Sequence, residues 1–202
     1  MKRGTLLLWA LVGAAAVAFG VMLAQWLAPA TVSLDAGTWL PRTTPVAPFH
    51  LSDLSGHDFS LASLRGHPTL LFFGFTNCPD ICPLTLATLA QIPADALPDR
   101  QVVFVTIDPE RDSAPVLRTY LSAFSPTFVG VRGPQSALAP LMHSLHASAE
   151  RDYLPDGSYT MIHTATLYLL NTHGRLAAVF SPPFSAPALT ADLRHIAASG
   201  RL

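Results

Sequence analysis

Residues 69–84 read TLLFFGFTNCPDICPL, and this stretch decides the fold. Its first half, Thr69 to Phe75, is a dense apolar run with three aromatic residues, the pattern of a strand buried on both faces. Its second half holds the chain's two cysteines, Cys78 and Cys82. Pro83 suits a first helical position and disfavours helical geometry at the residue before it. The spacing therefore predicts a helix over Pro83 to Gln91 with Cys82 at its cap. Both sulfurs then lie near a helix N-terminus, where the partial positive charge favours thiolate.

Working outward, strand and helix patterns alternate. Gln101 to Asp108 and Thr127 to Val131 read as strands, Ser113 to Phe124 and Pro134 to Ala147 as helices, with Asp112 or Ser113 as a cap. That is a βαβ series with a parallel core. On the N-terminal side, Phe49-His50-Leu51 and Phe59-Ser60-Leu61 flank the turn residues Ser55 to Asp58 as a short hairpin. On the C-terminal side, residues 148 to 160 read as a polar loop around Pro155-Asp156-Gly157. Thr164 to Leu170 and Leu176 to Phe180 then form a closing hairpin, and Ser185 caps a last helix to about Ala198. The fold class is α/β, a thioredoxin-like mixed central sheet flanked by helices.

Upstream, the composition changes. From Gly4 to Leu34 there is no charged residue, and Thr5 to Ala28 is an apolar run of 24 residues, roughly 36 Å as a helix and enough to span a bilayer. Lys2 and Arg3 precede it, so the positive-inside rule keeps them cytoplasmic and sends the rest across. The expected organisation is a transmembrane anchor over 1–30, a Pro-rich tether over 31–48 and one domain over 49–202. The setting is then the bacterial cytoplasmic membrane, single-pass, with the domain on the periplasmic side. A cleaved signal peptide ending near Ala28-Pro29-Ala30 is the rival reading. The net charge of −1 shows no basic surface for nucleic acid, and Lys2, the only lysine, leaves the exported part without lysine chemistry.

Cys78 and Cys82 carry the sharpest chemical signal. A disulfide closing so small a loop constrains the unfolded chain little, so a structural staple is a weak reading. Two thiolates suit Cu(I) or zinc, and one further ligand would complete a trigonal copper site. Among eight histidines, His163 stands out because it lies just before the strand Thr164 to Leu170, whose neighbour in a thioredoxin topology leads to the cysteines. A lone histidine at a strand start is more often a surface residue. Asp108 closes a central strand where sites of open sheets gather, and either orients a ligand or forms a turn before Pro109, with Arg111 and Asp112 as solvated charges. His143 and His146 read as the polar stripe of a helix more readily than as a metal pair. Met161 reads as packing, with a thioether available to Cu(I).

Residues 71–85, LFFGFTNCPDICPLT, resemble the signature of the Sco/SenC copper chaperones. Thr106 to Asp112 is similar to that family's second motif, and Tyr159 to Thr164 to the segment with its ligand histidine. The likeness runs over roughly 45–200 with the motifs in order. It implies copper, Cu(I) or Cu(II), held by Cys78, Cys82 and His163, and a role in assembling the binuclear copper centre of cytochrome c oxidase. It also implies the oxidase copper-centre subunit as partner, with other periplasmic copper chaperones and thioredoxin-like reductants around it. Ile162 departs from the family, where an acidic residue often precedes the histidine. The alternative is a thiol-disulfide oxidoreductase, with Cys78 and Cys82 as a redox pair that reduces the oxidase subunit's cysteines. A peroxiredoxin is a poor third, since Thr76-Asn77-Cys78 falls one residue short of a peroxidatic motif.

Overall fold

Every side chain of Thr69–Gly74 is buried, and the sheet is arranged around that strand. The computed structural model describes residues 3–27 and 34–202. In chain order the elements are α1 (Arg3–Leu27), β1 (Gly37–Pro45), β2 (His50–Asp53), β3 (Asp58–Ser60), β4 (Thr69–Gly74), α2 (Ile81–Ala90), β5 (Gln101–Thr106), α3 (Ala114–Ser122), β6 (Val129–Arg132), α4 (Gln135–Ser144), β7 (Ala149–Tyr153), β8 (Tyr159–His163), β9 (Leu167–Leu170), β10 (Arg175–Phe180) and α5 (Ala186–Ala198). Eight strands form one sheet in the order β1-β10-β9-β4-β5-β6-β2-β3, and β7 with β8 forms a separate pair.

β4, β5 and β6 run parallel, and the remaining pairs are antiparallel. This is the mixed sheet with flanking helices expected from the alternating pattern. Burial explains the sequence: β4 and β9 are covered on both faces and carry unbroken apolar runs. Two registers set up the site. Gly74 lies beside Thr106 on β5, and Phe72 faces Leu167 on β9. The end of β4 therefore meets both the end of β5 and the start of β9.

The chain divides into two units, Met1–Thr31 and Val32–Leu202. In the first, Arg3–Leu27 is helical. Among the described residues no helix is long and apolar enough to cross a membrane. Lys2 and residues 28–33, on which the charge and cleavage arguments fall, lie outside the described residues.

In the second unit the Pro-rich stretch is not a free tether over its length. β1 pairs with β10, with an irregular register between Trp39 and Thr44. The backbone N–H groups of Asp35 and Ala36 donate to the buried Asp192 carboxylate at 2.7 and 2.8 Å. Prolines are tolerated there because an edge strand needs only part of its hydrogen bonds. The stretch 148–160, read as a polar loop, is likewise structured as β7, a turn and β8. Its polarity reflects a hairpin outside the eight-stranded sheet, with Tyr153 and Leu154 exposed.

Candidate metal centre

α2 begins at Ile81, two residues before the expected start, with Asp80 as the cap. Pro83 does not prevent this, because its missing N–H falls in the first turn, where donors have no helical partner. The first continuing bond is Leu84 N–H to the Asp80 carbonyl, 3.2 Å. Cys82 is thus inside the helix and fully buried, while Cys78 sits nearly buried in the loop before it. Both cysteines are free thiols.

The helix start does not treat the two sulfurs alike. The Cys82 backbone N–H points at Cys78 Sγ, 3.4 Å away, so the partial positive charge of the helix is directed at Cys78. Burial pushes the Cys82 thiol up, and its hydrogen bond with Cys78 adds to this. The expectation that both would favour thiolate is therefore corrected for Cys82: an apolar wall disfavours its charged form.

His163 ends β8, and its ring comes to Cys82 with Nε2 3.7 Å from Sγ. Its Nδ1 lies 3.0 Å from the Thr164 carbonyl. A carbonyl can only accept, so Nδ1 carries the proton and the Nε2 lone pair faces the sulfurs. The ring stands edge-on to Phe72 and Phe75. Burial pulls its pKa below the ordinary histidine value, which keeps the imidazole neutral. The three ligand atoms of Cys78, Cys82 and His163 lie within 4.8 Å of one another. With bonds of roughly 2.3 Å to sulfur and 2.0 Å to nitrogen, as for zinc, a trigonal ion would hold sulfur and nitrogen about 3.7 Å apart. The arrangement suits a soft ion with two thiolate ligands and one imidazole.

Gly74 went unread in the sequence, and Asp112 and Asp108 turn out to do more than the sequence assigned them. A Cβ on Gly74 would come within 2.7 Å of the Phe104 ring and 3.0 Å of Cys82 Sγ, so only glycine leaves that sulfur its place. A glycine inside an aromatic strand was the available signal. Asp112 is 0% exposed rather than solvated. It accepts from Thr76 Oγ1 and Thr106 Oγ1, both at 2.5 Å, and from the Thr76 backbone N–H at 3.1 Å. This ties the cysteine loop to the end of β5, and no local pattern announced it. Asp108, also buried, accepts from Tyr159 Oη at 2.9 Å and pairs with Arg111, so it does more than form a turn before Pro109.

The other candidates divide between the helix α4 and the thiol pocket. His143 lies in the last turn of α4, and among the described residues Cys78, Cys82 and His163 are the only group of three or more histidine, cysteine or acidic side chains placed to hold a metal ion. Met161 lines an open depression of 420 Å³ together with Cys78, Pro79, Asp80 and His163. Ile162 is 61% exposed beside it, and Leu84, two residues past Cys82, is 59% exposed.

The sequence profile of the SCO1/SenC family matches residues 40–198. The human mitochondrial SCO2 homolog is 35% identical over 159 residues, which cover 74% of this chain and 59% of that protein's length. The copper-bound structure of Bradyrhizobium japonicum ScoI is 34% identical, with a TM-score of 0.67 over 74% of this chain and 98% of that one. The structure of BsSco, described as having a disulfide switch and as a member of the Sco family of cytochrome c oxidase assembly proteins, is 25% identical. Its TM-score is 0.60 over 77% of this chain and 95% of that one.

Proposed function

We propose, from the premise that the chain belongs to the SCO1/SenC family, that it is a metallochaperone whose cargo is copper, held by Cys78, Cys82 and His163. The observation that carries this is the convergence of two sulfurs and one imidazole nitrogen within 4.8 Å. Copper bound to the Bradyrhizobium relative supports the choice of ion, and the soft thiolate pair supports it independently. The recipient in this reading is the copper-centre subunit of cytochrome c oxidase, in keeping with the assembly role named for BsSco. Periplasmic copper chaperones and thioredoxin-like reductants would supply metal and electrons.

The residues share the work unequally. Cys78 is the outer sulfur, next to the exposed Pro79 and Asp80, and is the first contact for incoming copper. Cys82 anchors the ion from beneath, and His163 closes the third side. A dedicated thiol-disulfide oxidoreductase is the weaker reading, because it needs only the two cysteines and gives the approach of His163 to them no task.

In the same proposal the 24-residue uncharged run anchors the chain in the bacterial cytoplasmic membrane, with Lys2 and Arg3 inside and the copper domain on the periplasmic side. The folded domain starts with β1 and its Asp192 contacts, earlier than residue 49. Retention of the full-length protein in alkaline-washed membranes tests the anchor, and a soluble form beginning near Ala30 contradicts it. For the cargo, His163→Ala is expected to weaken Cu(II) binding more than Cu(I) binding and to stop oxidase assembly in cells. Two thiolates alone still hold Cu(I), whereas Cu(II) favours imidazole among more ligands. Wild-type binding of both ions together with normal oxidase would overturn this role for His163.

A further inference from the structure

His163 is carried by a hairpin that no strand of the main sheet holds. β7 and β8 pair only with each other, and the hairpin shares a cavity of 690 Å³ with the segment after β5, lined by Ile107, Pro109, Glu110, Glu150, Arg151 and Met161. Apolar packing across that gap is therefore incomplete. Met161 of β8 reaches the core, and the other links across the gap are polar. Arg111 donates from Nη1 to the Tyr159 carbonyl at 2.8 Å and from Nε to Asp108. Its guanidinium carbon lies 3.8 Å from the Tyr159 ring centroid, and Tyr159 Oη donates back to Asp108. Arg151 joins the same ring at 4.6 Å and pairs with Glu110 at 2.5 Å.

The same five-residue segment, Asp108 to Asp112, also grips the cysteines' loop, since Asp112 binds Thr76, two residues before Cys78. One segment thus holds both halves of the three-atom group. Tyr159 and His163 are four residues apart on β8, roughly 13 Å along the strand. Fixing the first sets the angle at which the second arrives. Arg111 is costly there: its Nη2 is buried and has no partner among the described residues, a penalty that a merely space-filling residue would avoid.

We propose that Arg111, with Asp108 and Tyr159, is a positioning clasp that sets where the His163 imidazole meets the two sulfurs. The inference rests on the copper-site reading above. Arg111 touches neither sulfur nor imidazole in this account and acts through the hairpin. Its guanidinium suits the task because one planar group can bond a carboxylate, bond a carbonyl and stack on a ring at once.

The test uses the full-length protein loaded with Cu(II), reading the thiolate-to-copper absorption, the nitrogen hyperfine signal and the rate of copper release to a chelator. Wild type and His163→Ala set the scale, and if those two are alike it is the site reading that fails, not the clasp. Arg111→Met and Tyr159→Phe are expected to speed release on the order of 10–100-fold, as loss of groups that orient a ligand does. They should alter the nitrogen signal and leave the Cys78–Cys82 reduction potential unchanged. Arg111→Lys keeps the charge without the fork and should restore only part of the retention. If Arg111→Met loses the fold, Tyr159→Phe decides, since it removes one hydroxyl. Wild-type release and spectra in Tyr159→Phe and in folded Arg111→Met overturn the proposal, as does an equal shift of the reduction potential.

Discussion

Cys82 Sγ and His163 Nε2 stand 3.7 Å apart although 81 residues separate them in the chain. Two strand registers prepare that approach, Phe72 against Leu167 and Gly74 beside Thr106, since the cysteine loop leaves the end of β4 and the chain from His163 enters β9 beside it. Cys82 is buried and the half-buried His163 ring packs edge-on to Phe72 and Phe75, so affinity for metal depends on protons as well as geometry.

In the proposed site copper displaces the Cys82 proton, which burial holds at neutral pH. Apparent Cu(I) affinity is therefore expected to rise by at least about tenfold per pH unit between pH 6 and 8. At still lower pH, beneath the depressed His163 pKa, the slope steepens, because the imidazole then takes up a proton that copper must also remove. Chelator competition across that range measures the slope, and a flat profile would contradict a buried thiol ligand.

The same burial fixes a sign for stability of the metal-free fold. A thiol whose pKa is raised on folding stabilises the fold below its unfolded value of 9.0, and the contribution is lost as pH rises above it. A histidine whose pKa is lowered stabilises above 6.5 and loses its contribution as pH falls below. Denaturant unfolding should show a plateau between these limits that Cys82→Ser widens on the alkaline side. An unchanged alkaline limit in that variant would refute the thiol's part.

Gly74→Ala places a methyl against the Phe104 ring and Cys82 Sγ. Overpacking of this kind costs about 1–3 kcal/mol, and the displaced sulfur should also loosen copper. A lowered Tm with weakened Cu(I) retention is the expected result. Full retention at wild-type Tm would show that the β4 end has room to yield.

Asp112→Asn removes a buried carboxylate with three donors from Thr76 and Thr106. Hydrogen bonds to charged groups contribute about 1.5–3 kcal/mol each, so urea unfolding should shift clearly. The cysteine loop should become easier to cleave by protease. Unchanged stability would mean that neighbouring backbone bonds suffice to hold it.

Much of this was legible in the chain. The runs at 69–75 and 101–108 are buried strands of uniform hydrophobicity, and such runs read plainly. Cys78 and Cys82 announce themselves as the only cysteines beside a helix start. His163 was reached by topology and by the family likeness, and the structure brings it to the thiols. What could not be read depends on tertiary environment. Whether Cys82 keeps its proton is set by the wall around it, not by its place at a helix start. Asp112 looks like any acidic residue in a turn until Thr76 and Thr106 are folded against it. β7 and β8 pair only with each other, so their alternation of polar residues gave no apolar period to follow.

The most direct measurement is X-ray absorption at the copper edge of the full-length protein, reduced and loaded with Cu(I), for wild type and for Cys78→Ser, Cys82→Ser and His163→Ala. The account predicts one copper per chain with two sulfur neighbours and one imidazole nitrogen. Each cysteine variant should lose one sulfur and His163→Ala the nitrogen. Copper surrounded by fewer than two sulfurs in wild type, or an imidazole signal that persists in His163→Ala, would contradict it.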